Sequence, residues 1–255
     1  MRDPRAAKRQ AAGAATRDRM TPEISVVVPV CNEAENVGPL ATEIARALAG
    51  REFEILFVDD GSTDGTAAAA LASRDAGIPQ LRLLRHSFRS GQSAAVWSGV
   101  RHARAPWIAT LDGDGQNDPA DIPALVAGRG DALLVMGNRT SRRDSWMRRL
   151  QSRVANGVRA ALLGDGTPDT GCGIKLMHRD TFLELPRFDH MHRFLPALFQ
   201  RGGARVVSVP VNHRPRQRGV SKYGLLDRLW VGIVDIFGVM WLKRRFKPGL
   251  AVREE

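Results

Sequence analysis

Residues 107–123 read WIATLDGDGQNDPADIP, an apolar strand ending at Leu111 that hands two carboxylates, Asp112 and Asp114, to a glycine-rich turn. Gln116, Asn117 and Asp118 follow, and a helix is predicted to begin near Asp121. Two acids one residue apart at the carboxyl edge of a strand can jointly hold one hard divalent cation, because Mg²⁺ and Mn²⁺ take oxygen ligands and share them with phosphates. That arrangement suits a diphosphate. Aspartate around glycine is also ordinary turn chemistry, so the stretch alone leaves both readings open.

The segments upstream separate the two readings. ISVVVPV (24–30) is a nearly continuous β-branched run, as expected of a parallel strand covered on both faces. It runs into CNEAENVGPLATEIARAL, where Asn32 is predicted to cap an amphipathic helix with Glu35 three residues later. FEILFVDD (53–60) leads through GSTDGT to an alanine-rich helix over 67–73, and LRLLRH (81–86) leads through FRSGQS to a helix over 94–103. This alternation predicts an α/β fold: a doubly wound, mostly parallel sheet with helices on both faces and its ligand site beyond the carboxyl ends of the strands. Those ends carry Asn32 and Glu33, then Asp59, Asp60, Ser62, Thr63 and Asp64, then Asp112 and Asp114. A capped turn explains any one of them; three acidic ends on one sheet edge point to a ligand. Neither a G-x-G-x-x-G turn after the first two strands nor a P-loop is present.

A net charge of +11 implies an anionic partner: a phosphate-rich ligand, an acidic membrane face or nucleic acid. The chain has one tyrosine and few aromatics beside its basic blocks, which argues against nucleic acid. Cys31 and Cys172 match no metal-ligand spacing and suggest a reducing compartment. Residues 1–22 form a basic tail without apolar periodicity or a leader-like core, predicted to be disordered. Arg139, Arg142, Arg143, Arg148, Arg149 and Arg153 make one basic block; His213, Arg214, Arg216, Arg218, Ser221 and Lys222 make another. Each reads as a solvated face or an anion site. A helix is predicted over 192–203 and a strand over 206–211, with His192 a packing or capping group and Asp169 opening a tight loop. In the last helix, 225–246, Asp227, Arg228, Asp235, Gly224 and Gly238 share a narrow face. Asp235 cuts the apolar run below the roughly 20 residues a bilayer span needs. An in-plane helix at an anionic membrane is expected, ending in Lys243, Arg244, Arg245 and Lys247; the alternative is a helix packed on the domain or on a partner.

Taken together, ISVVVPVCNEAEN, FVDDGSTDGT and LDGDGQNDPADIP resemble the inverting GT-A glycosyltransferases of family 2. GNR (137–139), DSWMRRLQSR (144–153), DTGCGIKLMHR (169–179) and RQRGVSKYG (216–224) resemble its polyprenyl-phosphate branch, which includes dolichol-phosphate mannosyltransferases and bacterial undecaprenyl-phosphate sugar transferases. The resemblance implies a GT-A domain over 23–223, an amphipathic juxtamembrane helix over 224–247 and a tail over 248–255. It implies a nucleotide-sugar pocket formed by Pro29, Cys31, Glu33, Val58, Asp60, Asp112, Gly113 and Asp114, with Glu33 on the ribose and Val58 and Asp60 at the base. Asp112 and Asp114 would hold Mg²⁺ or Mn²⁺, Gln116 would lie near the sugar or metal, and Arg139, Arg153, Arg216, Ser221 and Lys222 would meet the acceptor phosphate. Among these, Asp112, Asp114, Gln116, Arg139 and Arg153 would form the catalytic set. The family often carries a bulkier apolar residue where this chain has Gly115, which loosens the turn without removing a ligand.

The implied reaction is inverting transfer of a sugar from GDP-mannose or a UDP-sugar to dolichyl or undecaprenyl phosphate, giving a lipid monophosphosugar. A phosphate monoester is already anionic at neutral pH and needs no general base; it needs positive charge to approach a second phosphate. The implied location is peripheral, on the cytoplasmic face of the membrane, directly or on a separate membrane protein. Two other readings stay open: a family 2 enzyme with a hydroxyl acceptor, and a non-catalytic nucleotide-binding subunit of a membrane complex.

Overall fold

The computed structural model describes residues 21–139, 157, 159–215, 225–247 and 249. Arg153, Arg216, Ser221, Lys222 and nearly all of the basic tail lie outside them.

Seven strands form one sheet in the order β3-β2-β1-β4-β6-β5-β7. They are β1 Ile24–Val30, β2 Phe53–Asp59, β3 Leu81–Arg85, β4 Trp107–Thr110, β5 Leu134–Arg139, β6 Lys175–His178 and β7 Val206–Val211. All neighbours pair in parallel except β6, which runs antiparallel to both β4 and β5. The helices are α1 Ala34–Ala47, α2 Thr66–Asp75, α3 Gln92–His102, α4 Ile122–Ala127, α5 Arg179–Leu183, α6 Leu195–Arg201 and α7 Leu225–Arg245.

The valine run of β1 is buried on both sides because successive side chains point to opposite faces. Val26, Val28 and Val30 meet Val37, Leu40 and Ile44 of α1 with Ile122 and Leu125 of α4. Val27 faces the other way, toward Val96 and Val100 of α3 and, beyond them, Phe182, Phe199 and Val239. The edge of the sheet opposite the site is pinned by Glu54, 5 % exposed. Its carboxylate accepts bonds from Ser25 Oγ, the Arg104 N–H and Arg82, each at 2.6 Å.

The doubly wound sheet expected from the sequence is present, and three local expectations change. Asn32 does not cap α1: the helix starts after Glu33, while Asn32 adopts a left-handed φ of 53° and accepts from the Thr63 N–H at 2.8 Å. The helix expected over 192–203 is a short 3₁₀ turn, Met191–Arg193, followed by α6. In α7, Asp235 of the expected polar face is turned toward the domain rather than to solvent. Asp235 lies 3.4 Å from His190 Nδ1, Lys243 Nζ donates to the Leu163 carbonyl, and Val239 is fully buried with Ile236 and Met240 packed around it. Burial raises the Asp235 pKa, against the pull of His190. The side turned to solvent carries Ile233, Val234, Phe237 and Trp241, 45–62 % exposed. Among the described residues no helix is long and apolar enough to cross a membrane.

Candidate active site

Strand order reverses between β1 and β4: the chain steps outward through β2 and β3, then returns to the other side of β1. Such a switch point opens a crevice beyond the carboxyl ends of the strands. Pro29 ends one wall and Asp112 the other. β1 and β4 pair as far as Val27 and Thr110, so Pro29, with no N–H to donate, sits where the two strands have separated.

The 112–118 turn is built from its own side chains. The Asp112 N–H donates to Asn117 Oδ1 at 2.9 Å, the Gln116 N–H to Asp114 Oδ1 at 3.1 Å, and the Ala120 N–H to Asp118 Oδ1 at 3.0 Å. Gly113 is buried against Val30 and the Pro29 carbonyl, and Gly115 takes φ +73°, a conformation that favours glycine. Two groups outside the turn fix the Asp112 carboxylate. Gln92 Nε2, at the start of α3, donates to its Oδ1 at 2.9 Å. Gly173 lies so close on the Oδ2 side that a Cβ there would overlap the carboxylate, and Thr110 Oγ1 holds this glycine through its carbonyl at 2.9 Å.

Asp112 keeps a partly open surface but sits deep in the cleft. Loss of hydration there raises its pKa; Lys175 lowers it, Asp114 raises it further and Arg139 lowers it, with a net rise. Two adjacent carboxylates, one of them disfavoured by burial, make a hard-oxygen set that a divalent cation stabilises. Among the described residues no three His, Cys, Asp or Glu side chains surround one metal position. Two carboxylates with phosphate and water oxygens completing the shell are what Mg²⁺ ordinarily uses, so Asp112 and Asp114 fit that role.

Arg139 ends β5 on the far wall. Its Nε and Nη2 form a fork onto Asp169 Oδ2 and Oδ1 at 2.7 and 2.8 Å. Burial lowers its pKa, but Asp169 more than offsets that, so the guanidinium stays charged within the field of Asp112. Asp169 is thus more than the start of a tight loop; it aims an arginine.

The β2 end divides its two acids. Asp59, fully buried, accepts from the Ser62 N–H at 2.8 Å and Arg85 Nε at 3.2 Å. Asp60 reaches across to the 86–91 loop, accepting from the Ser90 and Gly91 N–H groups and meeting His86 Nδ1, all at 2.8 Å. The Val58 side chain is wholly buried on the α3 face, near Val27 and Gly99. Glu33 accepts from Asn36 Nδ2 at 2.6 Å, and its N–H donates to Thr66 Oγ1 at 2.8 Å. Cys31, half-buried and in no disulfide, lies on the same loop.

The second basic block begins on the metal-type turn. The Arg214 N–H donates to the Gln116 carbonyl at 3.0 Å, and its guanidinium bridges Glu43 and Asp118, each at 2.6 Å. Burial lowers the Arg214 pKa and the two carboxylates raise it above its ordinary value. This arginine is a strut between α1 and the turn.

Three site residues were not singled out as ligand-facing from the sequence: Gln92, Lys175 and His192. Together with Pro29, Thr110 and Asp112 they line a recess under the Asp112 carboxylate. A polar residue just after S-G at a helix start was the available signal for Gln92. Lys175 stands between apolar residues in GIKLM, and only the sheet topology brings it to the site.

Residues 25–185 match the family described as Glycosyl transferase family 2, and the chain belongs to that family. It is 36 % identical over 235 residues to the dodecaprenyl-phosphate galacturonate synthase of Rhizobium johnstonii, covering 89 % of this chain and 69 % of that protein. It is 34 % identical over 208 residues to the undecaprenyl-phosphate 4-deoxy-4-formamido-L-arabinose transferase of Edwardsiella ictaluri, covering 80 % of this chain and 63 % of that one. Its fold is that of the glucosyl-3-phosphoglycerate synthase of Mycobacterium tuberculosis. A crystal structure of that enzyme with Mn²⁺, UDP and phosphoglyceric acid superposes with a TM-score of 0.67 at 21 % identity, covering 94 % and 83 % of the two chains. Another, with Mg²⁺ and UDP, gives 0.66 at 20 % identity over 93 % and 82 %. The GT-A architecture expected from the sequence is therefore the one observed.

Proposed function

We propose that this chain transfers one sugar from a nucleoside diphosphate to a polyprenyl phosphate, with inversion at the anomeric carbon. The observation that carries the reading is the pairing of opposite chemistries across one cleft: adjacent Asp112 and Asp114 at the end of β4, and the Asp169-held guanidinium of Arg139 at the end of β5. Two relatives named for polyprenyl-phosphate sugar transfer support it.

In this reading an acceptor phosphate oxygen attacks the anomeric carbon as the bond to the leaving diphosphate breaks, and the electron pair departs on the nucleoside diphosphate. The attacking oxygen carries no proton at neutral pH, so the site needs no general base. His192 suits that scheme. Burial, reinforced by Lys175 and Arg193, holds its pKa well below the ordinary histidine range, and its Nδ1 is engaged by Ser93 Oγ at 2.7 Å. Asp112 and Asp114 would hold Mg²⁺ or Mn²⁺, which would neutralise charge on the departing diphosphate. Gln92 and Gly173 keep the Asp112 carboxylate in register. Arg139, fixed before the substrate arrives, offsets repulsion between the two phosphates; Arg153, Arg216, Ser221 and Lys222 are assigned to the same task from the family resemblance.

The outward face of α7 gives the enzyme a route to its lipid. Ile233, Val234, Phe237 and Trp241 form an exposed apolar stripe, and Arg244, Arg245 and Lys247 stand exposed at its end. That composition fits an anionic membrane surface, taken here as the cytoplasmic face, where nucleotide sugars are made.

The test is transfer of radiolabelled sugar from UDP- and GDP-linked donors in the presence of undecaprenyl phosphate and Mn²⁺, followed by chloroform extraction. Label in the organic phase, lost in Asp114→Asn, is expected. Label confined to the aqueous phase, on any hydroxyl acceptor, overturns the reading.

A further inference from the structure

Asp169, which aims Arg139, stands at the end of a loop with little stiffness of its own. Gly164 and Gly166 take left-handed φ of +61° and +58° on either side of Asp165, and glycine has the most backbone freedom to lose. What holds the loop is a buried ion pair. Arg159, in the helical residues 159–163, donates from Nη2 to Asp165 Oδ1 at 3.3 Å and to the Thr167 carbonyl at 2.7 Å. Asp165 Oδ1 also accepts from the Thr167 N–H at 3.4 Å. The Asp165 carbonyl accepts from Thr167 Oγ1 at 3.2 Å and from Gln200 Nε2, on α6, at 3.0 Å. Arg159 and Asp165 are both buried.

The pair is poorly built for stability alone. Arg159 Nε and Nη1 and Asp165 Oδ2 find no hydrogen-bond partner among the described residues, and apolar side chains of like volume often serve a core as well as a buried ion pair. What an apolar side chain cannot do is grip the Thr167 carbonyl. That oxygen belongs to the planar peptide between Thr167 and Pro168, and the Pro168 ring locks its own φ. Between the gripped plane and the Asp169 Cα, one soft torsion, Pro168 ψ, therefore remains. Asp169 then turns both carboxylate oxygens onto Arg139, at 2.7 and 2.8 Å. We propose that Arg159 is a positioning residue for the transfer: its hold on Asp165 and Thr167 sets where Asp169 stands and so where the Arg139 guanidinium points. This inference rests on the acceptor-phosphate role read for Arg139 above.

Kinetics of the full chain with undecaprenyl phosphate, Mn²⁺ and whichever UDP- or GDP-linked sugar the wild type transfers test it. Arg159→Met should lower kcat/KM for undecaprenyl phosphate about thirtyfold, while calorimetric affinity for the nucleoside diphosphate with Mn²⁺ changes by less than about twofold. Arg159→Lys, which keeps a charge beside Asp165 and a donor for the carbonyl, should recover most of the loss. The deciding measurement is a cycle with Arg139→Lys, which keeps the charge but lacks the fork for Asp169. In that background the Arg159→Met loss should shrink to about twofold or less, whereas a residue that only stabilises the fold costs the same in both. If Arg159→Met unfolds by leaving Asp165 unpaired, the neutral combination of Arg159→Met with Asp165→Asn goes through the same cycle, with melting curves to confirm folding. A chain that unfolds in both forms gives Arg159 to the fold alone and overturns the proposal. An unchanged kcat/KM, or an equal loss in both backgrounds, also overturns it and leaves the transferase reading intact. No transfer to undecaprenyl phosphate by the wild type overturns the transferase reading itself, and this inference with it.

Discussion

The backbone N–H of Arg214 donates to the carbonyl of Gln116 at 3.0 Å, two residues beyond Asp114, so the chain leading into the second basic block starts from the turn that carries the site's acids. The guanidinium completes the join by bridging Glu43 and Asp118. Arg214→Ala is expected to cost about 1 kcal/mol in urea unfolding, as a partly exposed network does, and to lower kcat/KM about tenfold by releasing the turn. Unchanged kinetics would mean that the strut does not position the site.

Asp112 is disfavoured as a carboxylate by burial, whereas the cation-holding role proposed for it requires the ionised form. Asp112→Asn should therefore melt no lower than the wild type in the presence of a chelator, and should lose the upward Tm shift that Mn²⁺ with UDP gives the wild type. Transfer should fall by about a thousandfold. A variant that is destabilised without metal but still responds to Mn²⁺ with UDP would contradict this assignment.

Gln92 lines the recess and donates to the Asp112 carboxylate at 2.9 Å. Groups that orient a metal-binding carboxylate typically change affinity or activity by about 10- to 100-fold when removed. Gln92→Ala should show that loss chiefly as a higher Mn²⁺ concentration for half-maximal rate, and Gln92→Glu, which places a third negative charge beside the pair, should lose more.

His192 gives the fold a pH dependence. Its pKa is depressed in the folded state, so below about pH 6.5 the unfolded chain takes up a proton that the folded chain does not. Its contribution is fully present above that pH and is lost as pH falls through it, with a slope approaching about 1.4 kcal/mol per pH unit for a single proton. Urea titrations between pH 7 and 5 should show a shallower slope in His192→Gln than in the wild type.

The two sides of α7 should respond oppositely to charge. Val239→Glu, on the buried side, should unfold the helix from the domain and lower Tm. Trp241→Glu or Phe237→Glu should leave Tm unchanged and abolish cosedimentation with vesicles containing anionic lipid. Equal vesicle binding by Trp241→Glu and the wild type would remove the membrane role of this face.

Much of this architecture was legible in the sequence because its first half obeys strong local rules. Ile24–Val30, Phe53–Asp59 and Leu81–Arg85 are apolar runs punctuated by turn residues, and the strands formed within a residue of their expected ends. β5 and β6 gave no comparable signal. β6 has four residues, and its hydrogen bonds come from β4 and β5, far away in the chain. Side-chain commitments were harder still. Asp59 and Asp60 are neighbours of one type, yet one is tied to the β2 turn and to Arg85 on β3, the other to the 86–91 loop. On α7 the wheel placed Asp235 on a polar face but could not reveal that it meets His190, because that depends on what the domain offers opposite it.

The reversed direction of β6 has a consequence for how such a cleft changes over time. Every other strand leaves its chemistry behind it, in the loop that follows; β6 is entered from the substrate side and presents Lys175 as its opening residue, with Asp169 to Gly173 arriving just before. A short cassette can therefore be exchanged at the reacting end while the apolar remainder of the strand, Leu176 and Met177, stays anchored in both cores.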